Sequence, residues 1–245
     1  MKDVQKRLEN ERAHAAYLLS NKAGEIWGWE TPAGRVRAAR RLKYFIELGR
    51  LGPGKKVLEV GCGTGIFTRG LVATKAQITS IDIAPALVDY AKKHTSVKNV
   101  SFEVQDAMNT SYENESFDVV IGCSILHHLE PELALCEFFR LLKKGGRIVF
   151  SEPNMLNPQI ALQKNIPAIK RWVGDSPDET AFFSWQVKRL FKKHGFSSVM
   201  VQPFDFLHPA TPKPFIGVVK TMGELFEHVP LVKNIAGSLI MCAQK

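Results

Sequence analysis

The sequence predicts an α/β fold, a mostly parallel sheet with helices on both faces, in a chain of 245 residues. Three observations carry this. From Lys56 to Ser151, short apolar strands alternate with helical segments, a rhythm that a parallel sheet with crossover helices satisfies. The first strand runs into a glycine loop, Gly61-Cys62-Gly63-Thr64-Gly65, that opens a helix. After Glu152 the rhythm breaks, and two irregular stretches, 153–182 and 204–234, read as insertions at one end of the sheet.

The elements follow in order. Residues 1–50 read as a helical cap: a weak amphipathic stripe (Val4, Leu8, Ala15, Leu18, Leu19), a break at Gly24–Pro32, then a basic helix from about Gly34 to Leu48. Gly52-Pro53-Gly54 is a turn that opens the main domain, 51–245. Strands are expected at Lys56–Val60, Gln77–Asp82, Val100–Gln105, Phe117–Gly122 and Arg147–Ser151. Helices fill the gaps, with Pro85–His94 and Pro131–Leu142 each starting on proline. Lys143-Lys144-Gly145-Gly146 closes the second of these with basic residues and glycine. Beyond Glu152, a helix at Phe183–His194 and strands at Ser197–Val201 and about Ile235–Ala243 stand out. The 204–234 stretch carries a helical stripe of Val218, Val219, Met222, Leu225 and Phe226.

Composition narrows the class. Hydrophobic residues make up 45% and charged residues 23%, as in an ordinary soluble domain. No apolar run approaches the ~20 residues of a membrane-spanning helix. The polar start, Met1 to Arg7, lacks a following apolar segment, so a cytoplasmic location is the expectation. Cys62, Cys123, Cys136 and Cys242 are scattered and form no C-x-x-C pair, which reads as reduced thiols without a zinc site. The net charge of +9 is spread along the chain, as on a solvated basic surface. It is also compatible with an acidic partner.

The glycine loop carries the chemistry. Its spacing is G-x-G-x-G, and Ile66 stands where a dinucleotide fingerprint has its third glycine, which counts against a nicotinamide enzyme. Glu59 precedes the loop. Asp82 ends the next strand, where a carboxylate accepts from both hydroxyls of a ribose. Asp106-Ala107 follows the third strand, where a carboxylate suits an adenine amino group. These motifs, with Phe117-Asp118-Val119-Val120 and the run Glu137–Phe150 around Lys144-Gly145-Gly146, resemble the class I S-adenosylmethionine-dependent methyltransferases. Lys144 stands where that family usually has proline.

The resemblance implies a seven-stranded sheet of order 3-2-1-4-5-7-6 with the last strand antiparallel. It also implies S-adenosylmethionine as cofactor, S-adenosylhomocysteine as product and no metal. The backbone around Gly61, Cys62 and Gly63 would contact the methionine part, and Glu59 and Gly65 would also belong to the cofactor site. Asp82 would take the ribose, and Ile83 would lie against the adenine. Asp106 and Ala107 would hold the adenine edge, and Cys123 would lie near the sulfonium. His127 and His128, in Leu126-His127-His128-Leu129, border the expected acceptor pocket, and either is a candidate base or a histidine bonding the turn before Pro131.

Absences sort the acceptors. The Asp/Asn-Pro-Pro-aromatic motif of base-amine methylation, the Pro-Cys nucleophile of cytosine-C5 enzymes and a magnesium carboxylate are all missing after the fourth strand. DNA is therefore disfavoured, and the expectation is a small-molecule acceptor, hydrophobic, acidic or both. A non-catalytic binding or assembly subunit, an RNA methyltransferase and a homo-oligomer remain open. Trp27 and Trp29 read either as core or as closing over the cofactor.

Overall fold

In a computed structural model of the chain, residues 28–173 and 179–245 are described. The expected Trp27, and most of the expected cap, lie outside them. Helix α1 (Pro32–Gly49) leads to β1 (Lys56–Val60), α2 (Ile66–Leu71), β2 (Gln77–Asp82), α3 (Pro85–His94), β3 (Val100–Val104) and β4 (Phe117–Cys123). Then follow α4 (Pro131–Leu141), β5 (Leu142–Pro153), α5 (Pro158–Asn165), α6 (Pro167–Val173), α7 (Ser184–Lys193), β6 (Ser197–Phe204), α8 (Ile216–Phe226) and β7 (Ser238–Gln244). The seven strands form one sheet of order β3-β2-β1-β4-β5-β7-β6, with β7 antiparallel to both neighbours, as expected.

Strand alternation sorts the core onto two faces. Val57, Val119, Ile121, Val149, Ile240 and Cys242 face one side, where Phe45 of α1 and Leu71 of α2 cover them. Leu58, Val60, Val120, Ile148, Phe150 and Met241 face the other, under Leu135 and Phe138 of α4 and Val187 and Phe191 of α7. Burial on both faces is why these strands read as continuous apolar runs. Each large side chain so buried contributes about 1.5–3 kcal/mol before entropy is counted.

Local chemistry sets the ends of α1. Thr31 Oγ1 accepts from Gly34 N at 2.9 Å and Pro32 occupies the first turn. The same hydroxyl donates to the Pro209 carbonyl at 2.7 Å, tying the start of α1 to the 204–234 stretch.

Three expectations need correction. β5 is longer than Arg147–Ser151, because Lys143–Gly146 loop out within the strand: Phe117 pairs with Leu142 but Val119 pairs with Arg147. Gly145 at φ +75° allows that excursion, and Lys143 binds Asp118 across it at 3.0 Å. The 153–182 stretch is largely helical; its prolines start α5 and α6, and Asn157 caps α5 by accepting from Ile160 N at 3.1 Å. The last strand begins at Ser238, since Ile235 belongs to a short 3₁₀ turn.

The helical stripe of α8 is present but faces outward. Val218 is 61% and Leu225 63% exposed, and Gly223 is the buried residue of that helix. A Cβ on Gly223 would come within 3.0 Å of Phe206, so α8 packs through its glycine side.

Candidate active site

The carboxyl ends of the strands, with α5, α6 and the 205–209 segment above them, enclose a cavity of about 750 Å³. That falls in the usual range of cofactor and ligand sites, about 300–1,000 Å³. Its location is the one expected for an open α/β sheet, outside the strand ends where the order reverses.

One side is built by three successive β–α junctions. Gly61 and Gly63 take φ +66° and +52°, turning the chain sharply after β1. A Cβ on Gly61 would lie 2.5 Å from Ile125, so glycine is required for space as well as for its dihedral. Asp82 is fixed by that loop: Oδ2 accepts from Gly63 N at 2.9 Å and Oδ1 from Ala84 N at 3.0 Å. Asp106 Oδ1 accepts from Met108 N at 2.9 Å. Gly61, Cys62, Gly63, Asp82, Ile83, Asp106, Ala107 and Cys123 all line the cavity.

Gly65 and Glu59 are not among its lining residues. Gly65, at φ +76°, caps α2 and packs near Ala91. Glu59 faces α2 beneath the sheet end, where its Oε2 accepts from Thr68 Oγ1 at 2.5 Å and Ser80 Oγ at 2.7 Å. Burial pushes its carboxyl up to about 7, against those two hydrogen bonds. Its placement supports the glycine loop from behind.

Two thiols line the cavity, and burial keeps both protonated. Cys123 is pushed up to about 12, and Cys62 rises well above the usual thiol range, in part because Asp82 is near.

The opposite side is assembled from distant segments. His127 and Glu152 are both buried, and His127 Nδ1 lies 2.6 Å from Glu152 Oε2. Glu152 Oε1 already accepts from Ile125 N and Leu126 N, at 3.0 and 2.8 Å. The carboxylate therefore receives the Nδ1–H, which fixes the orientation of the His127 ring. Burial, and then His128, lower the pKa of His127, outweighing Glu152. His128 Nε2 sits 3.2 Å from Glu179 Oε1, and Lys164 Nζ 2.7 Å from Glu179 Oε2. Ligand atoms of His127, His128 and Glu179 lie within 4.8 Å of one another, a spacing a cation can span, but Lys164 already neutralises Glu179.

Sequence reasoning missed Glu152, Lys164, Glu179, Arg37 and Asp205. Glu152 had a readable signal, since it ends β5 on the ligand side. The others are brought in by packing between segments far apart in the chain. Trp29 lines the cavity and meets Phe67 edge-on at 5.5 Å. His208, given no role from sequence, lines it too and pairs with Gln159 at 2.9 Å.

Known proteins bear on this arrangement. Residues 58–150 match the methyltransferase domain family. A ubiquinone biosynthesis O-methyltransferase of Coxiella burnetii is 32% identical over 134 residues, 51% of this chain and 57% of the relative. The chain thus spans little more than half the length of that curated relative. An S-adenosylmethionine-dependent methyltransferase structure from Thermotoga maritima superposes with TM-score 0.67 at 20% identity, covering 94% of this chain and 98% of its own. The Haemonchus contortus phosphoethanolamine N-methyltransferase 2 in complex with S-adenosylmethionine gives TM-score 0.59 at 17% identity, covering 84% and 52%. These two likenesses concern the fold. Over residues 58–150 the chain thus matches a methyltransferase domain, and over most of its length it shares the fold of the superposed methyltransferase structures.

Proposed function

We propose that this protein transfers a methyl group from S-adenosylmethionine to a small-molecule acceptor, with His127 as general base. One observation carries the reading: a single cavity is lined on one side by the glycine loop, Asp82 and Asp106, and on the other by a histidine locked to a buried glutamate.

The residues suit the cofactor. Asp82 and Asp106 present carboxylates at two successive strand ends, as a ribose and an adenine amino group require. Ile83 and Ala107 offer apolar surface beside them, and the Gly61–Gly63 backbone leaves room for the methionine part. When bound, the cofactor supplies a methyl group on positively charged sulfur. Cys123 and Cys62, held as thiols, do not compete as methyl sinks. His127 takes the proton of an acceptor hydroxyl or acidic carbon, and Glu152 holds the ring and stabilises the charge it gains. The low pKa of His127 keeps it unprotonated near neutrality. Asn157, Gln159, Ile160 and Lys164 of the 153–182 segment and Phe206–Pro209 of the 204–234 segment line the cavity and form a lid that excludes water, which favours displacement at the methyl group.

Calorimetry tests the cofactor: S-adenosylhomocysteine should bind and NAD should not. Tritiated-methyl transfer into a fractionated cell extract should then label a small molecule. Binding of NAD alone, or label found only in RNA, overturns this reading.

A further inference from the structure

A second pocket, of about 200 Å³, lies at the other end of the sheet. It sits at the amino ends of β1, β4 and β5, where the C-terminal end of α1 meets the Lys143–Gly146 bulge. It shares no lining residue with the active-site cavity. β1, 5 residues long, holds it roughly 16 Å from the glycine loop, at about 3.3 Å per residue. Five cations line it, Arg50, Lys55, Lys143, Lys144 and Arg147, against one carboxylate, Asp118. Asp118 is already served, since its Oδ2 accepts from Lys56 N at 2.8 Å and from Lys143 Nζ at 3.0 Å. Burial opposes its charge, yet the Lys56 N–H, Lys143 and Lys55 hold its carboxyl below the usual range. Among the described residues, no carboxylate pairs with Arg50, Lys55, Lys144 or Arg147.

Backbone features place these cations. Arg147 Nη1 donates to Leu48 O at 3.3 Å, at the C-terminal end of α1. Arg50 caps that helix at φ +52°, a conformation glycine usually supplies, so a large cationic side chain is carried there against local preference. The two arginines converge: burial raises the Cys242 thiol, and Arg147 and then Arg50 pull it back. Lys143 and Lys144 sit in the bulge that Gly145 allows at φ +75°. Lys144 stands where the family this chain resembles usually has proline, so it adds an ammonium to the pocket wall. Lys245, beside the bulge, gives its main-chain oxygen to Gly145 N and its Nζ to the Leu142 carbonyl, and does not line the pocket.

We propose that this pocket is a second ligand site, which takes a phosphate group and lies apart from the cavity proposed for methyl transfer. Guanidiniums and ammonium groups gathered around a small hollow, with one carboxylate between them, suit a compact multivalent oxyanion. The hollow, about 200 Å³, is smaller than the about 300–1,000 Å³ of sites that enclose a whole ligand, so it takes the group and leaves the rest of the molecule outside. Two sources carry such a group: a free small phosphate compound, or the backbone of a nucleic acid. One compact hollow favours the free compound, since a nucleic-acid backbone is tracked by an extended basic stripe.

The test compares wild type with the double variant Lys55→Gln/Lys144→Gln. The control, Lys213→Gln/Lys233→Gln, removes the same charge from the 204–234 stretch. All four lysines are exposed, and a thermal melt of each protein confirms folding. Binding of inorganic diphosphate is measured by calorimetry at fixed ionic strength, and binding of a fluorescent single-stranded RNA oligonucleotide by anisotropy. Diphosphate should bind wild type and the control alike, and Lys55→Gln/Lys144→Gln about tenfold or more weakly. RNA bound more tightly than diphosphate, and lost in the same variant, names nucleic acid as the source of the phosphate. No binding of either probe to wild type, equal binding to all three proteins, or an equal loss in the control overturns the site.

Discussion

The side of the cavity proposed for the cofactor comes from three β–α junctions between Gly61 and Ala107, whereas the facing side draws on α1, the end of β5, the 153–182 stretch and the end of β6. On the first side, the polar groups bind backbone of the same or the neighbouring β–α junction: Asp82 holds Ala84 and, across to the β1 loop, Gly63, and Asp106 holds Met108. On the second, His127 meets Glu152, His128 meets Glu179, and Arg37 meets Asp205. A site made of local turns can be kept while the facing side is rebuilt. The difference suggests how one cofactor frame is fitted with different acceptors.

Breaking the cofactor side should have the largest effect. Asp82→Ala removes the two expected hydrogen bonds to the ribose, each worth about 1.5–3 kcal/mol, and releases Gly63 N. S-adenosylhomocysteine affinity should fall by roughly one to three orders of magnitude. Asp82→Asn, which keeps an acceptor for the loop, should lose less. Calorimetry showing unchanged affinity in both variants would remove Asp82 from the site.

Breaking the facing side should spare the cofactor. His127→Ala should lower turnover by about 10²-fold with S-adenosylhomocysteine affinity near wild type. Because burial depresses the His127 pKa, the acid limb of the wild-type rate profile should lie below the ordinary histidine value near 6.5. Glu152→Gln should reduce turnover without abolishing it. A rate profile without an acid limb would leave positioning, and not proton transfer, as the role of this pair.

Glu59 sharpens the comparison, because it supports the cofactor side without lining the cavity. Its folded pKa of about 7 lies above the unfolded value, so the folded state holds the extra proton. Its contribution to stability is fully present below about 4.5 and is lost as pH rises through about 7. Glu59→Gln should remove that decline, which denaturant melts at pH 5 and pH 8 would show as a flatter pH dependence worth up to about 3 kcal/mol. An unchanged slope would assign the pH dependence to other groups.

The smallest effect concerns motion. Hydrogen exchange in 153–173 and 204–216 should slow when S-adenosylhomocysteine and acceptor bind, since Asn157, Gln159, Ile160 and Leu207 line the cavity. The same slowing is expected in 20–32, most of which lies outside the described residues. Full protection of these segments in the free protein would exclude a closing lid.

The sequence by itself determined the sheet, its strands, the glycine loop and the strand-end aspartates. Continuous apolar runs report burial on both faces, and the spacing of the glycines and the positions of the carboxylates at strand ends are read along the chain itself. Local rules therefore reach them. Only the tertiary structure decided the rest. It turned the α8 stripe outward, because Gly223 gives Phe206 its closest approach. It removed Glu59 from the cavity wall, because strand alternation points residue 59 with Val57 toward α2. It also brought Glu179, Lys164 and Asp205 to the cavity and set Glu152 behind His127. A buried ion pair depends on where two distant segments happen to pack, and no periodicity or spacing along the chain encodes that distance.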